Sequence, residues 1–434
     1  MNVFNSVSAF GLVMVSQLAM CDNAPIGMLS PGAQSAITHL VVVVQENHSF
    51  DSYFGRYCRA PTGSNPTCEQ GRDCCEAGPD RDAASGALPL VLDDKQNRAF
   101  DPNHAQTCEL AEMHGGKMDR YVQGANCSSR SNFAYATETS AASYWRYADH
   151  YTLADRYFQS VAGASSSNDM YLARAQYVFT DNFVKTRSIG SNCRTQKGYT
   201  LKTYNDPTIG ELLTNAGVAW AYYSEGYRDM LAAAKHGSCP KIDQACAATY
   251  GAWACYYDPT DNPYQYYKST MDNLEVMKDY TDFFSDITGQ KLPAVSFLKP
   301  ISANSEHPHD STISDGMKFV DSIVNAVQGS GYAENTLILL TQDESGGYFD
   351  HVSPPPTSVV DKVPYGPRIP LLAVGRYARK GVVSHVELEH SSIVKFIEWN
   401  WLGGVGQLSG RDAVVHNIGS LLDGSVTRVA VPQD

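Results

Sequence analysis

Two acidic clusters follow directly on apolar runs. Gln45-Glu46-Asn47-His48-Ser49-Phe50-Asp51 comes after His39-Leu40-Val41-Val42-Val43-Val44, and Asp343-Glu344-Ser345-Gly346-Gly347-Tyr348-Phe349-Asp350-His351 comes after Thr336-Leu337-Ile338-Leu339-Leu340-Thr341. Glu46 and Asn47 offer a carboxylate and an amide oxygen side by side, hard donors suited to Mg²⁺, Ca²⁺ or Mn²⁺. Asp343, Glu344, Asp350 and His351 are four potential ligands in one short loop, and neighbouring carboxylates repel unless a proton or a cation neutralises them. A third segment, Gly163-Ala164-Ser165-Ser166-Ser167-Asn168-Asp169, precedes a predicted helix over Met170–Gln176. A hydroxyl at a helix start meets unpaired backbone N–H groups, which stabilise a developing alkoxide and the phosphate it attacks. Read singly, these segments are a polar turn, an acidic loop and a serine N-cap. Together they describe metal-assisted attack of a hydroxyl on a phosphate ester.

Such groups need strands to carry them to one place. The valine run is the unbroken β-branched pattern of a strand buried on both faces. Further strands are predicted at 218–223, 294–298, 336–341 and 369–374, with helical stretches between them. Thr208-Ile209-Gly210-Glu211 has capping-box spacing. Phe319, Val320, Ile323, Val324 and Val327 recur at helical spacing before Gly329, and Ser391–Glu398 reads as a capped amphipathic helix. The expected fold is an α/β protein with a mostly parallel central sheet. In such sheets ligands gather beyond the carboxyl ends of the strands, where both acidic clusters stand. The Gly-, Pro- and Cys-containing stretch from about 56 to 130 reads as a cap or insertion over that sheet.

With 434 residues, 43% of them hydrophobic, the chain can bury a large core. Its 33 basic and 46 acidic residues give a net charge of −13, which excludes general attraction to nucleic acid or anionic lipid. A phosphate-bearing substrate therefore calls for a local cation. Residues 1–21 read as a signal peptide, with an apolar centre at Phe10–Val15 too short to span a membrane and Cys21 as a candidate lipid anchor. The expectation is a secreted or periplasmic protein without stable membrane insertion, its residues 22–434 forming one catalytic domain. Eleven cysteines, ten beyond Cys21, suit disulfides in an oxidising compartment. No Cys-x-x-Cys pair points to zinc, and spacing leaves the pairing open.

Five motifs in order carry a family resemblance: Glu46-Asn47-x-Ser-Phe-Asp-x-x-Phe-Gly, Asp101-Pro-x-His104 with Gly115-Gly116-x-Met118-Asp119, Gly163-x-Ser-x-x-Asn168, His307-Pro308, and Asp343-Glu-x-Gly-Gly-x-x-Asp-His-Val352. Over about residues 38–402 the chain resembles the phosphoesterase family of bacterial and plant phospholipases C and the respiratory-burst-inhibiting acid phosphatase. The resemblance implies an alkaline-phosphatase-like three-layer α/β/α sandwich and hydrolysis of a phosphomonoester or a phospholipid headgroup through a covalent phospho-enzyme. It implies Glu46, Asn47, Asp343 and Glu344 as ligands of one divalent metal (Ca, Mg, Mn or Zn), Ser165 as nucleophile, and His104 and His307 as phosphate contacts, one of them the acid for the leaving alkoxide. Asn168 and His351 become candidate substrate contacts, His351 alternatively a support for the metal loop. The chain departs from the family pattern at the nucleophile, where Ala164 and Ser167 replace prolines and Asp169 replaces an arginine, and at Asp261-Asn262-Pro263, where a histidine is missing. The rival readings are a sulfatase of the same superfamily, for which no Cys/Ser-x-Pro-x-Arg site occurs, and a non-catalytic metal-binding exported protein, which would have no need of Ser165, His104 or His307.

Overall fold

The computed structural model describes Met1, residues 32–194 and residues 198–434. The expected signal peptide, with Cys21, lies outside the described residues apart from Met1. The central sheet has eight strands: β1 (His39–Gln45), β2 (Thr152–Ala154), β3 (Trp220–Ser224), β4 (Met277–Asp279), β5 (Val295–Lys299), β6 (Thr336–Gln342), β7 (Leu371–Val374) and β8 (Val382–Ser384), in the spatial order β8-β2-β7-β6-β1-β5-β3-β4. All pairings are parallel except those of β7, which runs antiparallel to β6 and β2. The run predicted at 369–374 thus becomes a strand that starts after Pro370. Proline has no N–H to give a ladder, and its carbonyl accepts from Thr341 Oγ1 instead. β2, β4 and β8 went unpredicted, because three residues are too few to show a periodicity.

Alternation along β1 divides the core. Leu40, Val42 and Val44 face one layer of helices while Val41 and Val43 face the other, and all are buried. The helices used below are α1 (Phe50–Phe54), α2 (Gln106–Met113), α3 (Ala142–His150), α4 (Ser165–Arg174), α5 (Ile209–Asn215), α6 (Tyr280–Thr288), α7 (Ile313–Gln328) and α8 (His390–Leu402). Helices α4, α5 and α8 pack with Leu40 and Val42, whereas α1, α3, α6 and α7 pack with Val41 and Val43, giving the expected three layers. Helix α7 is longer than its predicted centre because Ile313, Gly316 and Met317 extend the buried stripe by a turn and a half and Thr312 caps it, accepting from Asp315 N. Helix α8 is capped by Glu389, which accepts from Ser391 N, and not by a serine.

The stretch from 56 to 130 combines turns with the short helices Asp94–Ala99 and α2 and is stapled by disulfides Cys58–Cys75, Cys68–Cys74 and Cys108–Cys127, and two more, Cys193–Cys239 and Cys246–Cys255, close later loops. Such bonds persist in oxidising compartments. Among the described residues no helix is long and apolar enough to cross a membrane.

Candidate active site

The site is built where three neighbouring strands, β6, β1 and β5, end together. Gln45 and Gln342 are register partners and Asp343 N donates to Gln45 O (2.9 Å), so Glu46 and Asp343 leave the sheet side by side. Lys299 is the last residue of β5 on the other flank of β1. Its Nζ lies 3.0 Å from each of Glu46 Oε1, Asp343 Oδ2 and Asp169 Oδ2, and all four side chains are at most 5% exposed. Asp169 comes from the second turn of α4. Helix residues four apart share a face, so Ser165, the first residue of α4, stands one turn along from the carboxylate that meets this cluster.

Asn47 and Glu344 flank the cluster with atoms that have no protein partner. Asn47 Oδ1 and Nδ2, Glu344 Oε1 and Asp169 Oδ1 are buried and unpaired. Buried polar atoms are nearly always bonded, so three orphaned oxygens of hard-donor type, two from the segments that follow β1 and β6 and one from α4, fit a divalent cation. The loop that carries Glu344 turns on Gly346 (φ 66°) and Gly347 (φ 69°), where a side chain on Gly346 would meet Asn47 O at 2.1 Å. Only glycine allows that approach. Burial pushes Glu344 and Asp343 above the ordinary carboxylate range and Asp169 up to about 8. In Glu46 burial is outweighed by Lys299 and His307, which lower it.

Of the three serines, Ser166 Oγ is sealed and unpaired and Ser167 Oγ donates to Ala164 O (2.6 Å), while Ser165 keeps some exposure. Ala164 lines a cavity of about 360 Å³ together with Asp101, Asn103, His104, Asp181 and Phe183. His104 Nε2 is 3.9 Å from Glu344 Oε1, and its ring lies 5.9 Å from that of His307. Burial opposes a charge on His307, but Asp101, Glu46 and Asp310 outweigh it and hold its pKa above the usual histidine value.

Asn168 and His351, the expected substrate contacts, have their polar atoms engaged within the protein. Asn168 is fully buried, its Oδ1 accepting from Val161 N and its Nδ2 donating to Gly163 O, so it shapes the turn into α4. His351 has both ring nitrogens engaged, Nδ1 with Asp51 Oδ2 (2.7 Å) and Nε2 with Glu76 Oε2 (3.0 Å). Asp51, Asp350 and His351 offer ligand atoms within 4.8 Å of one another, enough for a metal by distance alone. That group already holds a cation, for the buried Arg368 donates through Nε to Asp350 Oδ1 (2.9 Å) and through Nη2 to Asp51 Oδ1 (3.0 Å).

Two supports went unread. Lys299 satisfies the same strand-end rule that marks Glu46 and Asp343, and that rule applied to β5 finds it. Glu109 on α2 has no such signal. Its carboxylate accepts from Gly163 N (2.6 Å), Gln159 Nε2 (2.9 Å) and Ser345 Oγ (2.9 Å), tying the serine loop to the acidic loop.

Other buried carboxyls give a pH dependence of stability. Burial pushes Glu306 up to about 7, Glu109 and Glu398 up to about 8 and Glu112 up to about 9. Each folded value exceeds the ordinary one, so as pH rises through 4.5 the unfolded chain releases protons that the folded chain retains. Stability is then lost by up to about 1.4 kcal/mol per pH unit per group until the folded pKa is reached. His351 adds to the trend: burial is outweighed by Asp51 and Glu76, which lift it to about 9, so its contribution is complete below about 6.5 and lost by about 9. Thermal melts are expected to give a Tm at pH 5 higher than at pH 8 by at least about 5 °C; a higher Tm at pH 8 would contradict these protonation states.

Comparison with known proteins follows this geometry. The model of the Phosphoesterase family matches residues 37–402. Phospholipase C B of Mycobacterium tuberculosis (strain CDC 1551 / Oshkosh) is 26% identical, over 90% of this chain and 78% of its own. Non-hemolytic phospholipase C of Burkholderia pseudomallei is 26% identical over 83% of this chain and 55% of its own, and the acid phosphatase of Aspergillus fumigatus 26% identical over 55% and 51%. Among solved structures, the phosphonate monoester hydrolase SpPMH from Silicibacter pomeroyi aligns with a TM-score of 0.36 at 12% identity, covering 80% of this chain and 77% of its own. With its family model spanning most of the chain, this protein belongs to the Phosphoesterase family.

Proposed function

We propose that the chain is an exported, metal-dependent hydrolase of phosphate esters, in one catalytic domain over residues 22–434, with Ser165 as nucleophile. The observation that carries this reading is the set of orphaned oxygens of Asn47, Glu344 and Asp169 beside Glu46 and Asp343, one helical turn from Ser165. Glu46, Asn47, Asp343 and Glu344 would hold one divalent ion, with Mg²⁺, Ca²⁺ or Mn²⁺ suiting the all-oxygen donor set. When bound, that ion supplies positive charge to the phosphoryl oxygens and favours the alkoxide form of the serine.

The chain's own groups do the rest. The Ser165 oxygen forms a bond to phosphorus while the bond from phosphorus to the alcohol oxygen breaks, and the positive end of the α4 dipole lies at Ser165, with the Ala164 and Ser166 N–H groups held by Asp181 Oδ1 (3.1 Å) and Asn182 Oδ1 (2.8 Å). His104 and His307 border the same space, and His307, held toward its protonated form by Asp101 and Glu46, can give the leaving alkoxide its proton. Water then cleaves the phosphoserine. Five disulfides support an oxidising, extracellular or periplasmic setting.

The deciding experiment is a panel of an aryl phosphate and phosphatidylcholine vesicles, each with and without EDTA, with metal content measured. Hydrolysis of at least one substrate is expected, reduced about a hundredfold or more by EDTA and restored by Mn²⁺. Inorganic phosphate release marks a phosphatase and diacylglycerol release a phospholipase C. Full activity in metal-free protein would sink the reading.

A further inference from the structure

The cluster at the strand ends is built like a coordination shell, yet the atom at its centre is a nitrogen. Lys299 Nζ has three carboxylate oxygens at 3.0 Å, from Glu46, Asp169 and Asp343, contributed by two strand ends and a helix. That separation is the length of a charge-assisted N–H···O contact, whereas oxygen ligands approach Mg²⁺ or Ca²⁺ to about 2.0–2.6 Å. The shell therefore fits an ammonium. The cation cannot dissociate, being covalently part of β5.

We propose that Lys299 is a resident cation filling one of two cation positions in this cluster, so that the enzyme takes a single divalent ion where its carboxylates would otherwise take two. The inference rests on the metal-dependent reading given above. Four buried carboxylates, Glu46, Asp169, Asp343 and Glu344, share the cluster, and Lys299 lies against three of them while His307 acts on Glu46 from outside. The unpaired oxygens of Asn47 and Glu344, each next in the chain to a carboxylate that Lys299 holds, mark the second position. Asp169 Oδ1 is unpaired as well, so even around the ammonium the donor set is not exhausted. A fixed charge also does something a soluble ion does not: it holds Glu46 and Asp343 together before metal arrives, where two bare carboxylates on adjacent strands would repel. Lys299 and Asp169 thereby act as one device, the lysine as the ion and the aspartate as the ligand that serves it.

The test is Mn²⁺ uptake by the purified full chain, measured by equilibrium dialysis with metal analysis and without any substrate. Wild-type protein is expected to bind one Mn²⁺ per chain, Lys299→Arg one with affinity near wild type, and Lys299→Ala two. If Lys299→Ala does not fold, Lys299→Gln is measured in its place. Its amide still fills the space, so one Mn²⁺ is expected, bound at least about tenfold more tightly because the competing charge is gone. One Mn²⁺ in Lys299→Ala at wild-type affinity, or unchanged affinity in Lys299→Gln, would overturn the inference and leave the metal-dependent reading standing. A wild-type chain that binds no Mn²⁺ would instead refute that reading itself.

Discussion

Ser165→Ala is expected to lower kcat on an aryl phosphate by about 10³-fold or more with little change in KM, since removing a nucleophile deletes an interaction made only on the way to the transition state. The substitution removes one oxygen at the first position of α4, where no protein hydrogen bond depends on it, so Tm should stay within a degree or two of wild type. The neighbouring serines serve as controls. Ser167→Ala loses the bond to Ala164 O and should cost stability more than activity. Ser166→Ala removes a sealed, unpaired hydroxyl and should change the rate by less than about tenfold, as it makes no bond the reaction could lose. Acid quench during turnover, followed by mass spectrometry, should find phosphate on the peptide containing Ser165 in wild type and none in Ser165→Ala. Hydrolysis by Ser165→Ala within tenfold of wild type would exclude it as nucleophile, and phosphate on Ser166 would move the assignment by one residue.

Much of this site was legible in the sequence for a definite reason. Glu46 and Asp343 each follow a run of apolar residues long enough to identify a buried strand, and parallel strands must end at the same edge of a sheet. Their meeting is a consequence of register, Gln45 opposite Gln342. Lys299 obeys the same geometry, but a single lysine before a proline reads as an ordinary exposed strand end. What buries it is Asp169, a residue 130 positions away that looked like an unfavourable departure from the family pattern. The two are a matched pair of charges, and neither is interpretable without the other. Glu109, Gln159 and Arg368 were illegible for a similar reason: each acts by bridging loops distant in the chain, which no local spacing records. The short strands β2, β4 and β8 and the disulfide pairs depend likewise on tertiary placement. For His351 the residue type left two uses open, a phosphate contact or a support for the metal loop, and its surroundings, two carboxylates, could not be read from spacing.

Arg368→Met is expected to be the most damaging single change to stability away from the chemistry, lowering it by about 3–5 kcal/mol, because removing one partner of a buried ion pair leaves the other charges uncompensated. Arg368 is 1% exposed and holds Asp51 and Asp350, while its Nη1 donates to Asp155 O (3.0 Å) and its guanidinium lies 4.4 Å from the centre of the Phe50 ring. Methionine supplies similar bulk against Phe50 and none of the charge, so the loss isolates electrostatics from packing. In a melt of a chain this long this corresponds to about 3–6 °C in Tm. Activity should fall too, since Asp350 anchors the far end of the loop that presents Asp343 and Glu344, with Asp350 Oδ2 accepting from Asp51 N (3.2 Å) and Oδ1 from Val352 N (2.9 Å). The experiment also separates two uses of the Asp51, Asp350 and His351 group. If Arg368 is its cation, the triple change Arg368→Met, Asp51→Asn and Asp350→Asn removes both signs of charge together and should recover part of the lost Tm. If a divalent ion were its cation, the triple variant would melt lower still. A Tm for Arg368→Met within about 2 °C of wild type would show that the network carries little of the fold's stability, and the loop that positions the acidic residues would then be held by the Glu109 and Gln159 bridge and by the bonds of Phe349 to Asn132 and Ser49.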